Sequence, residues 1–144
     1  MHGDSTSTLY YMELQLIMIV DDDKDDRFFF EEALKKINPE MTCIHAMHGE
    51  DALEKLKPLT VLPQFIFLDL NMPVMNGVGF LEQLNAHPAF RQIPVIVYTT
   101  SVSEYDMKIT RELGAKYYLP KTAEIEKLPA KITFAIDMIR RATD

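Results

Sequence analysis

The chain has 144 residues, of which 47% are hydrophobic and 26% charged, which suffices for one globular domain and leaves no room for a second large one. Its net charge of −7 makes direct binding to nucleic acid improbable. No apolar run approaches the ~20 residues of a membrane span, and the N-terminus lacks the basic end and apolar stretch of a secretory signal. The single cysteine, Cys43, cannot form an internal disulfide, so we expect a cytoplasmic protein.

Short apolar runs alternate with amphipathic segments from Leu14 onwards. Five runs have the length of strands and are mostly rich in β-branched or aromatic residues: 14–20, 42–47, 65–70, 94–100 and 116–120. Helices are predicted between them over 25–37, 49–56, 78–84 and 103–113, with a last helix from 123 or 129 to 141. The first helix is predicted to bury Phe29, Ala33, Leu34 and Ile37. Residues 1–13 are interpreted as an N-terminal extension or cloning remnant, and 14–144 as the domain.

The strict alternation of strands and helices predicts an α/β fold with a doubly wound, five-stranded parallel sheet and five helices. Several strands are apolar on both faces, which is typical of a parallel sheet covered by helices on both sides. Ligands of such sheets bind beyond the carboxyl ends of the strands. The residues that follow each apolar run are therefore the candidates for a functional site.

Four of the five predicted strands end at, or lead directly to, groups that suit phosphate or metal chemistry. These groups are Asp21, Asp22 and Asp23 after the first strand, Asp69 in the third, Thr99 and Thr100 in the fourth, and Lys121 after the fifth. Carboxylates crowded into a small volume either raise a pKa or recruit a cation, and all-oxygen ligands favour Mg²⁺. Asp69 stands in an otherwise apolar run, where a carboxylate beside Mg²⁺ and a lysine can attack a phosphoryl group.

In the order and position of these residues the chain resembles the receiver domains of two-component response regulators, especially the chemotaxis-type single-domain regulators, whose fold is flavodoxin-like. The resemblance covers about Leu14 to Arg141 and rests on the motifs IVDDD, FLDLNMP, YTT and YYLPK. It implies that Asp69 is the phosphoacceptor. It also implies a Mg²⁺ site formed by Asp21, Asp22, Asp69 and the backbone carbonyl of Asn71.

The resemblance further implies three residues that act on the phosphoryl group or respond to it. Lys121 pairs with the phosphoryl oxygens, and Thr99 binds one of them after phosphorylation. The ring of Tyr118 then rotates inward. Thr99 and Tyr118 are thus the candidate switch residues.

The implied function is that of a stand-alone receiver, which is not an enzyme beyond assisting its own phosphorylation and dephosphorylation. Its phosphoryl donor is the phosphohistidine of a histidine kinase or phosphotransfer protein. Output goes to an unknown downstream protein or a homodimer, through the face formed by the fourth helix, fifth strand and fifth helix. No output domain is expected, because the chain ends soon after the last predicted helix.

One position departs from the family pattern. Receivers commonly have a proline, in a cis peptide, directly after the lysine, but here Thr122 follows Lys121 and Pro120 precedes it. This departure puts the placement of the lysine in doubt. Small receivers partnered with bacteriophytochromes also lack that proline and carry a double threonine like Thr99 and Thr100, so the departure indicates a subgroup.

Two alternatives belong to other functional classes. A small phosphatase of the haloacid-dehalogenase kind also combines a doubly wound sheet, an aspartate nucleophile and Mg²⁺. That class has a D-x-D-x-T-like pattern on its first strand, and the residues after Asp21 do not match it. The other alternative is a receiver-like module that binds partners without phosphorylation; the presence of every site residue argues against it.

Other acids and a glycine have structural explanations. Asp23, Asp25 and Asp26 are typical of solvated acids at the start of a helix, where Asp23 or Asp25 caps it. Gly77 is expected to serve a turn that requires a positive φ.

The remaining residues of possible chemical interest are one cysteine and two histidines. Cys43 is interpreted as a small buried hydrophobic residue rather than a reactive thiol. His45 and His48 have no third ligand nearby in the sequence, so zinc binding is not expected.

Overall fold

The computed structural model describes residues 13–72 and 75–143, so the predicted extension at residues 1–13 lies almost wholly outside the described residues. The strands are β1 (Leu16–Val20), β2 (Thr42–Ala46), β3 (Phe65–Leu68), β4 (Val95–Thr99) and β5 (Tyr117–Pro120). The helices are α1 (Lys24–Ile37), α2 (Gly49–Leu56), α3 (Gly77–Ala86), α4 (Glu104–Glu112) and α5 (Leu128–Thr143). None of the described helices is long and apolar enough to cross a membrane.

The five strands form one parallel sheet in the order β2-β1-β3-β4-β5. The predicted doubly wound fold is therefore confirmed. In this order the chain changes direction across the sheet between β1 and β3, and the ends of these two strands border the crevice where such folds bind ligands. Asp21 and Asp69 directly follow β1 and β3 and thus lie at this crevice.

Alternating side chains of the strands build a core on each face of the sheet. Ile17 and Ile19 point to one face, where they join a cluster that includes Phe30 of α1 and Ile136 of α5. Met18 points to the opposite face, where α2 and α3 contribute further apolar residues. Both faces of the sheet are therefore covered, as the two-sided apolar runs predict.

The buried stripe of α1 differs by one residue from the prediction. Phe30, Ala33 and Leu34 are buried, whereas Phe29 is exposed, so the prediction for Phe29 was wrong. Phe30 fits because it lies three residues before Ala33 and four before Leu34, which is the spacing of one helical face. The exposed Phe29 lies outside this stripe.

Gly77 is needed for close packing and not for a positive φ. Among the described residues the only glycine with positive φ is Gly114, and Gly77 is the first residue of α3. A Cβ atom at position 77 would lie 2.6 Å from Cδ2 of Leu70 and 3.0 Å from the carbonyl oxygen of Asp69. The prediction of a positive-φ turn was wrong; the glycine lets α3 start directly against the loop that carries Asp69.

Candidate functional site

Three carboxylates meet at the carboxyl edge of the sheet, where β1 and β3 end. Asp21, Asp22 and Asp69 each offer a carboxylate oxygen, and these oxygens all lie within 4.8 Å of one another. Asp21 is fully buried, Asp69 is only 6% exposed, and Asp22 is exposed. Backbone hydrogen bonds fix the two buried residues, because the amide of Asp21 donates to Ala46 and that of Asp69 to Val20.

The ammonium group of Lys121 lies among the carboxylates. Its Nζ is 2.7 Å from Oδ2 of Asp21, 2.7 Å from Oδ2 of Asp26 and 3.4 Å from Oδ2 of Asp69. The backbone amide of Lys121 donates to the carbonyl of Thr99, which fixes the start of the last loop. Lys121 thus reaches the pocket although threonine, Thr122, follows it in place of the usual proline. All peptide bonds of the described residues are trans, so no cis bond is needed to place the lysine.

Burial and ion pairing act in opposite directions on the charged groups of this pocket. Burial raises the pKa of Asp21 to about 6, although its close ion pair with Lys121 partly opposes this shift. Burial alone would lower the pKa of Lys121, but the interactions with Asp21 and Asp26 outweigh it, so this pKa is raised. The lysine therefore stays cationic near neutral pH, while the carboxylates outnumber it and leave an excess of negative charge.

This donor set fits a hard divalent cation. All the ligand atoms are oxygens, as Mg²⁺ prefers, and an exposed carboxylate next to two buried ones leaves access from solvent. A dication would also favour the ionised form of Asp21.

Sequence reasoning missed two residues that contact the lysine. Asp26 was expected to be a solvated acid at the start of α1, but its carboxylate binds Lys121. The cap of α1 is Asp23, one of the two predicted candidates, whose side chain accepts hydrogen bonds from the amides of Asp25 and Asp26. No local pattern marks Asp26, because a first-turn acid that is solvated and one that contacts a distant lysine look alike in the sequence. The ring of Tyr98 lies 5.5 Å from Nζ of Lys121, and burial raises the pKa of its phenol to about 12.

The remaining predicted site residues each have a hydrogen bond in the structure. The amide of Asn71 donates to Oδ1 of Asp69, at 3.4 Å. Thr99 is buried at the end of β4, and its Oγ1 accepts a hydrogen bond from the amide of Ser101. The hydroxyl of Tyr118 donates to the carbonyl of Ser101 at 3.0 Å, so both predicted switch residues contact the same residue.

Residues 17–133 match the family model of the response regulator receiver domain, so the chain belongs to this family. The predicted resemblance is thus confirmed. Receiver domains are signalling domains of two-component systems and not classical enzymes, and the family match does not favour the phosphatase alternative.

Among the relatives, the response regulator Rcp1 of Synechocystis sp. is 31% identical over 119 residues, which cover 79% of this chain and 81% of Rcp1. The sensor histidine kinase CheAY of Helicobacter pylori is 28% identical over 85% of this chain, and the chain spans 15% of its length. The chemotaxis protein CheV3 of the same organism is 33% identical over 84% of this chain, which spans 40% of its length. The similarity to these two longer proteins therefore concerns one part of each.

Solved structures of similar proteins have the same fold. The phosphorylated cyanobacterial phytochrome response regulator RcpA superposes with a TM-score of 0.77 at 27% identity, covering 90% of this chain and 96% of RcpA. The Mn²⁺-bound form of Rcp1 superposes with a TM-score of 0.73 at 30% identity, covering 83% of this chain and 90% of Rcp1.

Proposed function

We propose that this chain is a phosphorylation-dependent receiver that accepts a phosphoryl group on Asp69 from the phosphohistidine of a histidine kinase or phosphotransfer protein. The observation that carries the proposal is the position of Asp69. It is a nearly buried carboxylate at the crevice between β1 and β3, with two further carboxylates within 4.8 Å and the Lys121 ammonium at 3.4 Å. In a cytoplasmic signalling pathway, the phosphorylated chain would act on a downstream protein or pair with a second copy.

In the proposed transfer, a carboxylate oxygen of Asp69 forms a bond to phosphorus. The bond between phosphorus and the donor's imidazole nitrogen breaks, its electron pair stays on nitrogen, and the imidazole leaves neutral because its other nitrogen is protonated. Hydrolysis of the aspartyl phosphate by water regenerates the Asp69 carboxylate and releases inorganic phosphate. The chain orients the reacting groups and neutralises charge both in the phosphoryl transfer and in the hydrolysis.

Asp21, Asp22, Asp69 and the backbone carbonyl of Asn71 are the groups that would hold Mg²⁺. When bound, Mg²⁺ supplies positive charge beside the phosphoryl oxygens. That Rcp1 has been solved in a Mn²⁺-bound form supports a divalent cation at the corresponding pocket.

Lys121 neutralises further charge by changing partners. Its ammonium contacts Asp21, Asp26 and Asp69 in the structure. A phosphoryl group on Asp69 carries about −1.5 to −2 charges at neutral pH, more than the single charge of the carboxylate it replaces. The lysine therefore shifts towards the phosphoryl oxygens and away from Asp26.

Intact-mass measurement with phosphoramidate or acetyl phosphate and Mg²⁺ tests the proposed acceptor. The wild type should gain one phosphoryl mass, and Asp69→Asn should gain none because the nucleophilic oxygen is lost. Asp22→Ala should impair labelling through loss of a Mg²⁺ ligand, whereas its neighbour Asp23→Ala, which loses only the cap of α1, should be labelled. Wild-type labelling of Asp69→Asn contradicts the proposal, and equal impairment of the Asp22 and Asp23 variants contradicts the assigned metal ligands.

The proposed output is a population shift on the face formed by α4, β5 and α5. A phosphoryl oxygen would attract the hydroxyl of Thr99 and so end its contact with the Ser101 amide. The ring of Tyr118, which shares Ser101 as a partner, would then move inward. Partner binding or dimerisation on this face would strengthen as a result.

Amide hydrogen exchange with and without beryllofluoride, a phosphoryl mimic, tests this output. Protection should change over residues 101–121 in the wild type, and much less in Thr99→Ala, which keeps Asp69 and should still be phosphorylated. Thr100→Ala, at an exposed position, serves as the matched control and should respond like the wild type. Changes confined to α1 would contradict the proposed switch.

A further inference from the structure

A second group of metal-ligating side chains lies between α1 and β2 and shares no residue with the acidic pocket. In residues 13–72 and 75–143, Glu31, Cys43 and His45 each offer one ligand atom, and these atoms all lie within 4.8 Å of one another. The proposed phosphoryl transfer uses none of them.

The fold itself brings these three side chains together. Cys43 and His45 are two residues apart on β2, so both side chains point to the same face of the sheet. Glu31 reaches this face from α1, and its Oε1 lies 2.5 Å from Nε2 of His45. His48, by contrast, caps α2 by accepting from the amide of Asp51. Sequence reasoning found no third ligand because the ligands come from a helix and a strand that are distant in the chain.

The donor set is one nitrogen, one sulfur and one oxygen. Thiolate and imidazole ligands are typical of Zn²⁺, whereas Mg²⁺ is bound by oxygen. The side chains of His45 and Glu31 are 34% and 30% exposed, which leaves a path for an ion and room for a water as fourth ligand. The other oxygen of Glu31 lies 3.7 Å from Nζ of Lys35, an interaction that helps to orient the carboxylate.

We propose that Glu31, Cys43 and His45 form a zinc site that joins α1 to the edge strand of the sheet. Without metal, burial raises the pKa of the Cys43 thiol to about 12, so the sulfur stays protonated and inert. Metal binding releases this proton and converts the thiol to a thiolate ligand. It also replaces the hydrogen bond between His45 and Glu31, so that Nε2 gives up its proton and coordinates as part of a neutral imidazole. Because the bound ion cross-links a helix and a strand of the folded state, it stabilises the protein against unfolding.

Cobalt(II) is a direct probe of this site, since Cys43 is the only cysteine of the chain. Titration in excess Mg²⁺ should give a thiolate-to-cobalt absorption band that saturates near one equivalent and that Zn²⁺ abolishes. The acidic pocket, which has only oxygen ligands, cannot produce this band. In a parallel measurement, Zn²⁺ should raise the melting temperature of the wild type and leave that of Cys43→Ala unchanged.

Matched variants distinguish metal binding by all three side chains from metal binding by the Cys43 thiol alone. His45→Asn and Glu31→Gln should each weaken cobalt affinity by at least about tenfold, since losing even an outer partner that orients a metal ligand has an effect of that size. The controls His48→Asn, which keeps a capping acceptor, and Glu32→Gln, on the exposed side of α1, should retain wild-type affinity. Absence of the band in the wild type, or an unchanged affinity in both His45→Asn and Glu31→Gln, would overturn the proposal.

Discussion

The acidic pocket and the surface formed by α4 and β5 differ in the number of buried contacts and ion pairs that hold them. In the pocket, Asp21 and Asp69 are buried, and the three ion pairs of Lys121 tie β1, β3 and α1 to the start of the last loop. In α4, Thr110 is the only fully buried residue, and Tyr105 is 72% exposed. A cavity of about 230 Å³ between α4 and β5 is lined by residues that include Thr110 and Tyr118.

This difference shows how one domain can combine fixed chemistry with a movable surface. A reacting carboxylate needs its cations at fixed positions, since small displacements weaken charge stabilisation. A surface with few buried contacts and an adjacent cavity rearranges at low free-energy cost. The contrast predicts a large loss of stability when the cation of the pocket, Lys121, is removed, and small, local effects for substitutions at α4 and β5.

The largest effect is expected for Lys121→Met, which leaves the buried Asp21 without its ion pair. In Mg²⁺-free buffer at pH 7, the free energy of unfolding should fall by about 3 kcal/mol, as for other broken buried pairs. Urea denaturation measures this loss. The matched control is Lys127→Met, whose lysine forms an exposed pair with Glu124 and whose loss should change stability by no more than about 0.5 kcal/mol.

The pH dependence of stability in Lys121→Met identifies the group that causes the loss of stability. The pKa of Asp21 in the folded protein, about 6, already exceeds its ordinary value of 3.8, and loss of the lysine raises it further. A raised folded-state pKa lowers stability by an amount that is complete above that pKa and that decreases as pH falls towards 3.8 and the carboxyl group takes up a proton. The deficit of Lys121→Met should therefore be smaller at pH 5 than at pH 7; a deficit that grew towards pH 5 would contradict this explanation.

The second effect concerns the loop between Asp69 and α3. Gly77→Ala should lower the free energy of unfolding by about 2 kcal/mol, because the added Cβ would clash with Leu70 and with the Asp69 carbonyl. Gly79→Ala lies two residues further on, where the nearest atoms to an added Cβ are 3.5 Å away, and should stabilise the protein by about 0.5 kcal/mol. Equal changes in the free energy of unfolding for the two substitutions would show that the close approach of Leu70 and Asp69 to Gly77 is not the cause of the destabilisation.

The sequence allowed the sheet and the order of its helices to be predicted because buried parallel strands produce apolar runs that few other elements resemble. The error at Phe29 arose within three consecutive phenylalanines, where the residue type does not distinguish one face of α1 from another. The spacing of Ala33, Leu34 and Ile37 identifies Phe30 instead, since Phe30 lies three, four and seven residues before them.

The contacts of the pocket depended on tertiary geometry that no local pattern encodes. The spacing of Asp26 fits a solvated first-turn acid as well as a partner of Lys121, and only the path of the last loop distinguishes them. Similarly, a glycine that avoids a clash and one that adopts a positive φ look alike in a sequence, which explains the error at Gly77.

The smallest effect is expected on the movable side, for Tyr118→Phe. The substitution removes the hydrogen bond to the Ser101 carbonyl but keeps the ring, so global stability should fall by no more than about 1 kcal/mol. Amide exchange should become faster over residues 101–106 and stay unchanged at Asp21 and Asp69, whose amides belong to the firmly held region. Tyr105→Phe, at an exposed tyrosine on α4, should change neither quantity. Faster exchange at Asp21 or Asp69 in Tyr118→Phe would mean that the two regions are mechanically coupled before phosphorylation, and the contrast between a fixed pocket and a movable surface would then be wrong.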